Sequence, residues 1–267
     1  MGDNEWVRSR FWLCHFLNSR HCRSRPTRAA LAGLLGLGAR GWLEQRRRDE
    51  AETHQRGWLQ DQAAQTIAGD PAYVQALRLC IKEETHHDAL TQLLVGEAKA
   101  ARPMGRSLLR RAWMALRRRV GMRFELSVLL LGQVTDVMVW RELERALKGG
   151  PGEPLAADVL REKLGHAQFH AERLTHEFAA FNFVRRNLRR LRLRLMFWAA
   201  THYASHRAQG LLRELGVSRP RFTRDCWAAF ESLLEAMVPY HRDQLLATLL
   251  KQRERRYEAP PRGLPAV

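Results

Sequence analysis

Proline is excluded from the interior of an α-helix, because its ring removes a backbone donor and clashes with the preceding turn. The ten prolines of this chain therefore mark where helices cannot run: Pro26, Pro71, Pro103, Pro151, Pro154, Pro220, Pro239, Pro260, Pro261 and Pro265. A Gly-rich patch (Gly33, Gly36, Gly38, Gly41) divides the first long gap, and the spacing predicts a helix over 42–68. Asp70-Pro71 opens a second over 71–100, with proline in the first turn, where helices accept it. A short basic helix is expected over 104–118, and a fourth helix over 122–148, stopped by Gly149-Gly150-Pro151. A fifth covers 154–180, a sixth runs over 184–214 and ends at Gly216, and a seventh covers 221–252 with a kink at Pro239. The last dozen residues are Pro-rich and expected to be disordered.

Composition points the same way. Isoleucine occurs only at Ile67 and Ile81, while Leu, Ala, Arg and Glu abound, which favours helix over any large sheet. Hydrophobic residues make up 45%, enough for a sizeable core, so a disordered or collagen-like chain is excluded. No run reaches the roughly 18 apolar residues of a membrane span; the nearest, Leu126 to Trp140, is broken by Gln133 and Asp136. The first residues mix Asp3 and Glu5 with Arg8 and Arg10, unlike a signal peptide. Cys14, Cys22, Cys80 and Cys226 do not form a disulfide framework in a chain of this length, so a cytoplasmic location is expected, peripheral to a membrane at most. P-loop, GxSxG and CxxC motifs are all missing.

Four of the expected helices, 42–68, 71–100, 122–148 and 154–180, have similar length and come as two pairs joined by short loops. A longer connection links the pairs, which is the layout of a four-helix bundle with one long crossover. The expected organisation is an N-terminal helical extension over 1–40, a bundle over 41–182, a basic helical extension packed on it over 183–255, and a tail over 256–267.

The second helix carries Glu83-Glu84-Thr85-His86-His87, two overlapping carboxylate–histidine pairs, Glu83/His86 and Glu84/His87. Spacing of i, i+3 puts both members of a pair on one helix face, where they can grip one metal ion. Which pair faces inward stays open. On the first helix, Glu50 and Glu52 lie 34 residues before Glu84 and 31 before Glu83, two antiparallel arms away. The competing reading of these two is a solvated face balancing Arg46, Arg47 and Arg48.

The run Arg123-Phe124-Glu125-Leu126-Ser127, followed by Val159-Leu160-Arg161-Glu162-Lys163-Leu164-Gly165-His166 and Phe169-His170, resembles the third and fourth helices of bacterial ferritin-like di-iron carboxylate proteins. The resemblance covers 42–180 and implies an all-α ferritin-like bundle with an iron or manganese site. Oxidases, oxygenases, hydroxylases and iron stores share that architecture, so the resemblance does not fix a reaction. Two positions depart from it. Lys163 stands three residues before His166, where the motif has Glu, and Gln133 takes the place of the third-helix Glu. The retained ligands would be Glu50 or Glu52, Glu84, His87 and His166.

Two divalent ions need about four carboxylates to balance them, and an ammonium beside them is costly. Lys163 is therefore expected to stand in for a metal, pairing with Glu84 and the first-helix Glu while Gln133 completes the hydrogen bonding. Three readings follow: a metal-free bundle with a structural or interaction role; one iron or manganese on Glu84, His87, His166 and a first-helix Glu, with O2 chemistry; or two metals, with Glu162 replacing the lost ligand by a shifted register. One ion or none is expected ahead of two.

Net charge is +17, carried by 45 Lys+Arg against 28 Asp+Glu, and only five of the basic residues are lysine. Codon bias in a GC-rich genome produces such a skew without function. Two segments concentrate the charge: Arg106, Arg110, Arg111 and Arg117–Arg119 around Leu108, Leu109 and Trp113, and Arg185–Arg194 before Leu195-Met196-Phe197-Trp198. Basic amphipathic helices of this kind suit an anionic membrane surface; nucleic-acid phosphates are the lesser expectation.

Overall fold

The computed structural model of the protein describes residues 3–19, 27–36, 53–67, 69–95, 119–179 and 181–237. Among these the regular structure is entirely helical, in nine helices: α1 (Asp3–Ser19), α2 (Arg28–Gly36), α3 (Thr53–Thr66), α4 (Pro71–Val95), α5 (Met122–Ala146), α6 (Glu153–Ala179), α7 (Phe183–Arg207), α8 (Gln209–Glu214) and α9 (Arg219–Met237). Helix starts at 71, 122 and 153 fall where the prolines and glycines put them. The basic helix expected over 104–118, the residues after 237 with Pro239, and the first-helix carboxylates Glu50 and Glu52 lie outside the described residues.

Local chemistry sets several helix ends. Asp70 precedes Pro71, and its Oδ1 accepts the Tyr73 backbone N–H at 3.0 Å, satisfying one of the open donors of α4. Asp70 Oδ2 accepts Ser9 Oγ at 2.6 Å, which ties α1 to the same helix start. Gly149 has φ +76°, a left-handed turn that side chains resist, and its N–H donates to Glu153 at the start of α6. Asn182 caps α7 by accepting from Arg185 N at 3.0 Å. The single helix expected over 184–214 is in fact two. The chain turns at Ala208 (φ −80°, ψ 2°), and the turn carries Ala208, Leu211 and Leu212 into the core. Tertiary burial overrides helix propensity here.

α5 and α6 form an αα-hairpin and the main packed pair. Leu126, Leu130 and Val134 on α5 meet Ala156, Val159 and Leu174 on α6 in one core. α4 packs alongside α3 and α1. α1 lies along α4 and also touches α6: Trp12 donates to Glu172 at 2.8 Å, and Phe16 meets Phe169 edge-on at 5.3 Å. Both rings are buried, and each contributes on the order of 2–3 kcal/mol of burial. α9 packs across α5, α6 and α7.

Candidate functional site

α4 presents Tyr73, Ala76, Leu77, Cys80, Glu83 and His87 as one buried stripe at three- and four-residue spacing, with Glu84 at its edge. The polar end of this stripe meets Glu162, Lys163, His166 and His170 on α6, all buried, and Gln133 on α5. Hydrophobic periodicity thus continues into a polar cluster without a change of face.

Glu84 is the centre of the cluster. Lys163 Nζ donates to its two carboxylate oxygens at 2.8 and 2.6 Å. Gln133 Nε2 donates to Oε1 at 3.0 Å, and His166 Nδ1 lies 2.5 Å from the same oxygen. The Lys163–Glu84 and Gln133–Glu84 contacts are those anticipated from the sequence. Burial alone would raise the Glu84 pKa, but the Lys163 ammonium and then His166 outweigh it and hold the carboxyl well below its usual range.

His166 bridges two carboxylates, with Nδ1 on Glu84 and Nε2 2.9 Å from Glu83 Oε2. Carboxylates at both nitrogens require both to carry protons, so the ring is an imidazolium. Burial opposes that charge; Cys80, Glu84 and Glu83 outweigh it and raise the pKa well above its ordinary value. Burial also pushes the Cys80 thiol up, leaving it neutral, so the glutamates carry the effect on His166. Two carboxylates from α4 therefore face two cations from α6. Beside them His87 Nε2 meets Glu162 Oε2 at 2.6 Å, a pair running in the opposite sense. Asp136 of α5 lies 3.5 Å from Lys163.

The placement answers a question that the sequence leaves open. His86 is exposed and falls off the inward stripe, so Glu83/His86 is not a convergent pair. Glu83 instead binds His166 and accepts a hydrogen bond from Ser19 Oγ. Glu162 is buried against His87. Sequence reasoning missed Ser19 and Phe16, whose ring lies 5.8 Å from that of His166 and helps wall the cluster. It also missed Asp136, as well as Cys80 within hydrogen-bonding reach of His166. The signal for Cys80 was available, since it lies on the same stripe of α4 as Glu83 and His87.

These residues as bonded do not fit a divalent iron or manganese ion. An ammonium bridges the two oxygens of Glu84, and neither nitrogen of His166 is left to a metal. Among the described residues no group of three or more His, Cys, Asp or Glu side chains has the arrangement of a metal site. Chemically, the cluster is a buried hydrogen-bond network that joins α4 to α6, with burial holding the His87 pKa down.

Comparison with known proteins finds no matching family model, no matching curated protein and no matching solved structure.

Proposed function

We propose that this chain is a ferritin-like helical protein in which Lys163 and His166 hold the carboxylates that a metal ion would otherwise bridge. On this reading it is a metal-free scaffold that acts through its surface, and not an O2-using oxidoreductase. One observation carries the reading: the Lys163 ammonium, with its side chain 1% exposed, donates to both oxygens of Glu84. Support for the ferritin-like architecture comes from the paired long helices and from carboxylate and imidazole groups converging from α4 and α6. An enzyme that cycled a metal here would have to remove a buried cation from the ligand it needs, leaving several kcal/mol of unpaired charge.

The test is metal analysis of protein produced in iron-rich medium, beside a Lys163→Glu/Gln133→Glu double variant. Wild type is expected to hold far less than one iron per chain, and the double variant is expected to gain iron. One or two irons per chain in wild type refutes the metal-free reading. A double variant no richer in metal than wild type refutes the assignment of 133 and 163 to ligand positions.

A further inference from the structure

α7 has two unlike faces. Its inner face carries Leu193, Phe197, Thr201 and Ser205, all buried. Phe197 stacks on Phe230 of α9 with ring centroids 4.1 Å apart. Arg194 donates two bonds to Glu231 at 2.8 and 2.7 Å, and Arg190 donates to Glu235 at 2.7 Å. These contacts fix the rotation of the helix about its axis.

Its outer face therefore stands in solvent. Val184, Leu188, Leu191, Leu195 and Trp198 are 71, 64, 53, 62 and 57% exposed. Their spacing of four, three, four and three makes one unbroken stripe, about 21 Å long at the helical rise. Scattered exposed apolar residues are ordinary; a continuous stripe marks an interaction site. Of the run from 195 to 198, only Leu195 and Trp198 belong to it, since Phe197 is buried and Met196 half-buried. Arg185 and Arg192, both exposed, flank the stripe on one side, and the half-exposed Arg194 flanks it on the other. Between Glu177 and Glu214 the sequence has eight arginines and no acidic residue.

Charge selects the occupant. A second copy seated through its own α7 would set Arg185 and Arg192 against the same arginines, and α7 itself carries no carboxylate to pair them. A nucleic acid needs cations at the centre of the contact, whereas here the centre is aliphatic and the cations lie at its margins. An anionic lipid surface satisfies both parts, with acyl chains taking Val, Leu and Trp and phosphates taking the arginines. Trp198 and the exposed Tyr203 share one half of the helix and suit the headgroup layer. No described helix is long and apolar enough to cross a membrane, so attachment through α7 is in-plane.

We propose that α7 docks the protein on an anionic phospholipid surface through the stripe from Val184 to Trp198. This rests on the exposed face alone and is independent of the metal-free reading. The test is co-sedimentation of the full chain with vesicles of phosphatidylcholine alone and with added phosphatidylglycerol. A Leu191→Glu/Leu195→Glu variant runs alongside, its fold checked by circular dichroism. Wild type is expected to pellet with the anionic vesicles and not the neutral ones, and the variant to bind at least about tenfold more weakly with an unchanged melt. Failure of wild type to pellet, or equal pelleting by a folded variant, overturns the proposal. So does a wild-type dimer in sedimentation velocity that the variant dissociates while vesicles capture neither. Retention on DNA without vesicle binding overturns it in favour of a nucleic-acid face.

Discussion

Lys163→Met keeps the apolar stem of the side chain and deletes its ammonium. At the observed 2.6 and 2.8 Å contacts, and with an effective dielectric constant near 20, the lost attraction to Glu84 is about 6 kcal/mol before desolvation. Burying the pair returns much of that, but removing one partner leaves the other charge buried, which costs about 3–5 kcal/mol. Glu84 keeps Gln133 and His166 and is 14% exposed, which places the loss at the lower end, about 3 kcal/mol. Lys163→Met/Glu84→Gln removes both charges and is expected to be more stable than the Lys163→Met single variant. Urea titration followed by far-UV circular dichroism at neutral pH measures both, together with the Glu84→Gln single variant that completes the cycle. A Lys163→Met variant within about 1 kcal/mol of wild type refutes the reasoning. So does a double variant whose loss equals the sum of the singles, because contacting charges must couple.

Two further outcomes follow from the same packing. Burial holds His170 at about 3, against an ordinary value of 6.5, and its Nδ1 has no hydrogen-bond partner among the described residues. Below the ordinary histidine value the unfolded chain binds a proton that the folded chain refuses, so this residue alone removes about 1.4 kcal/mol of stability per pH unit. His170→Leu should flatten the fall of the urea midpoint between about pH 6 and 4, and an unchanged slope would disprove this. Glu84 adds its own loss only lower, as pH falls through the carboxylate range toward its depressed folded value. On α7, Phe197→Ala should cost about 3–5 kcal/mol in a thermal melt, while Leu195→Ala on the opposite face costs under about 0.5 kcal/mol. A reversal of that order would mean that the helix is rotated.

Helix boundaries were legible where backbone chemistry is local. Pro71 and Pro151 fix φ and remove a donor, and Gly149 and Gly216 supply the positive φ that ends a helix, whatever the rest of the chain does. The inward face of α4 was legible too, by a route the carboxylate–histidine motif obscured. Counting about 100° per residue, the stripe of Tyr73, Ala76, Leu77 and Cys80 centres within about 70° of Glu83, Glu84 and His87 and about 130° from His86. The motif alone could not choose, since both overlapping pairs satisfy it. The importance of Lys163 was visible as a cation where the resembling motif has an anion. The turn at Ala208 was not visible, because alanine favours helix and only the burial of Leu211 and Leu212 ends it. Nor was the place of α1. Ser9, Trp12, Phe16 and Ser19 mark a face by their spacing, but nothing nearby in sequence says that it packs on helices formed far downstream.

That placement of α1 has a consequence for synthesis. Phe16 packs on His166, which comes 150 positions later in the chain. At roughly 5–20 residues per second, about 8–30 s separate the two on the ribosome. During that interval Trp12 and Phe16 have no α6 to bury them, and Ser19 waits for Glu83. The cluster between α4 and α6 therefore gains its aromatic wall only after α6 emerges. Until α6 emerges, the sides of Trp12 and Phe16 that meet Glu172 and Phe169 have no partner.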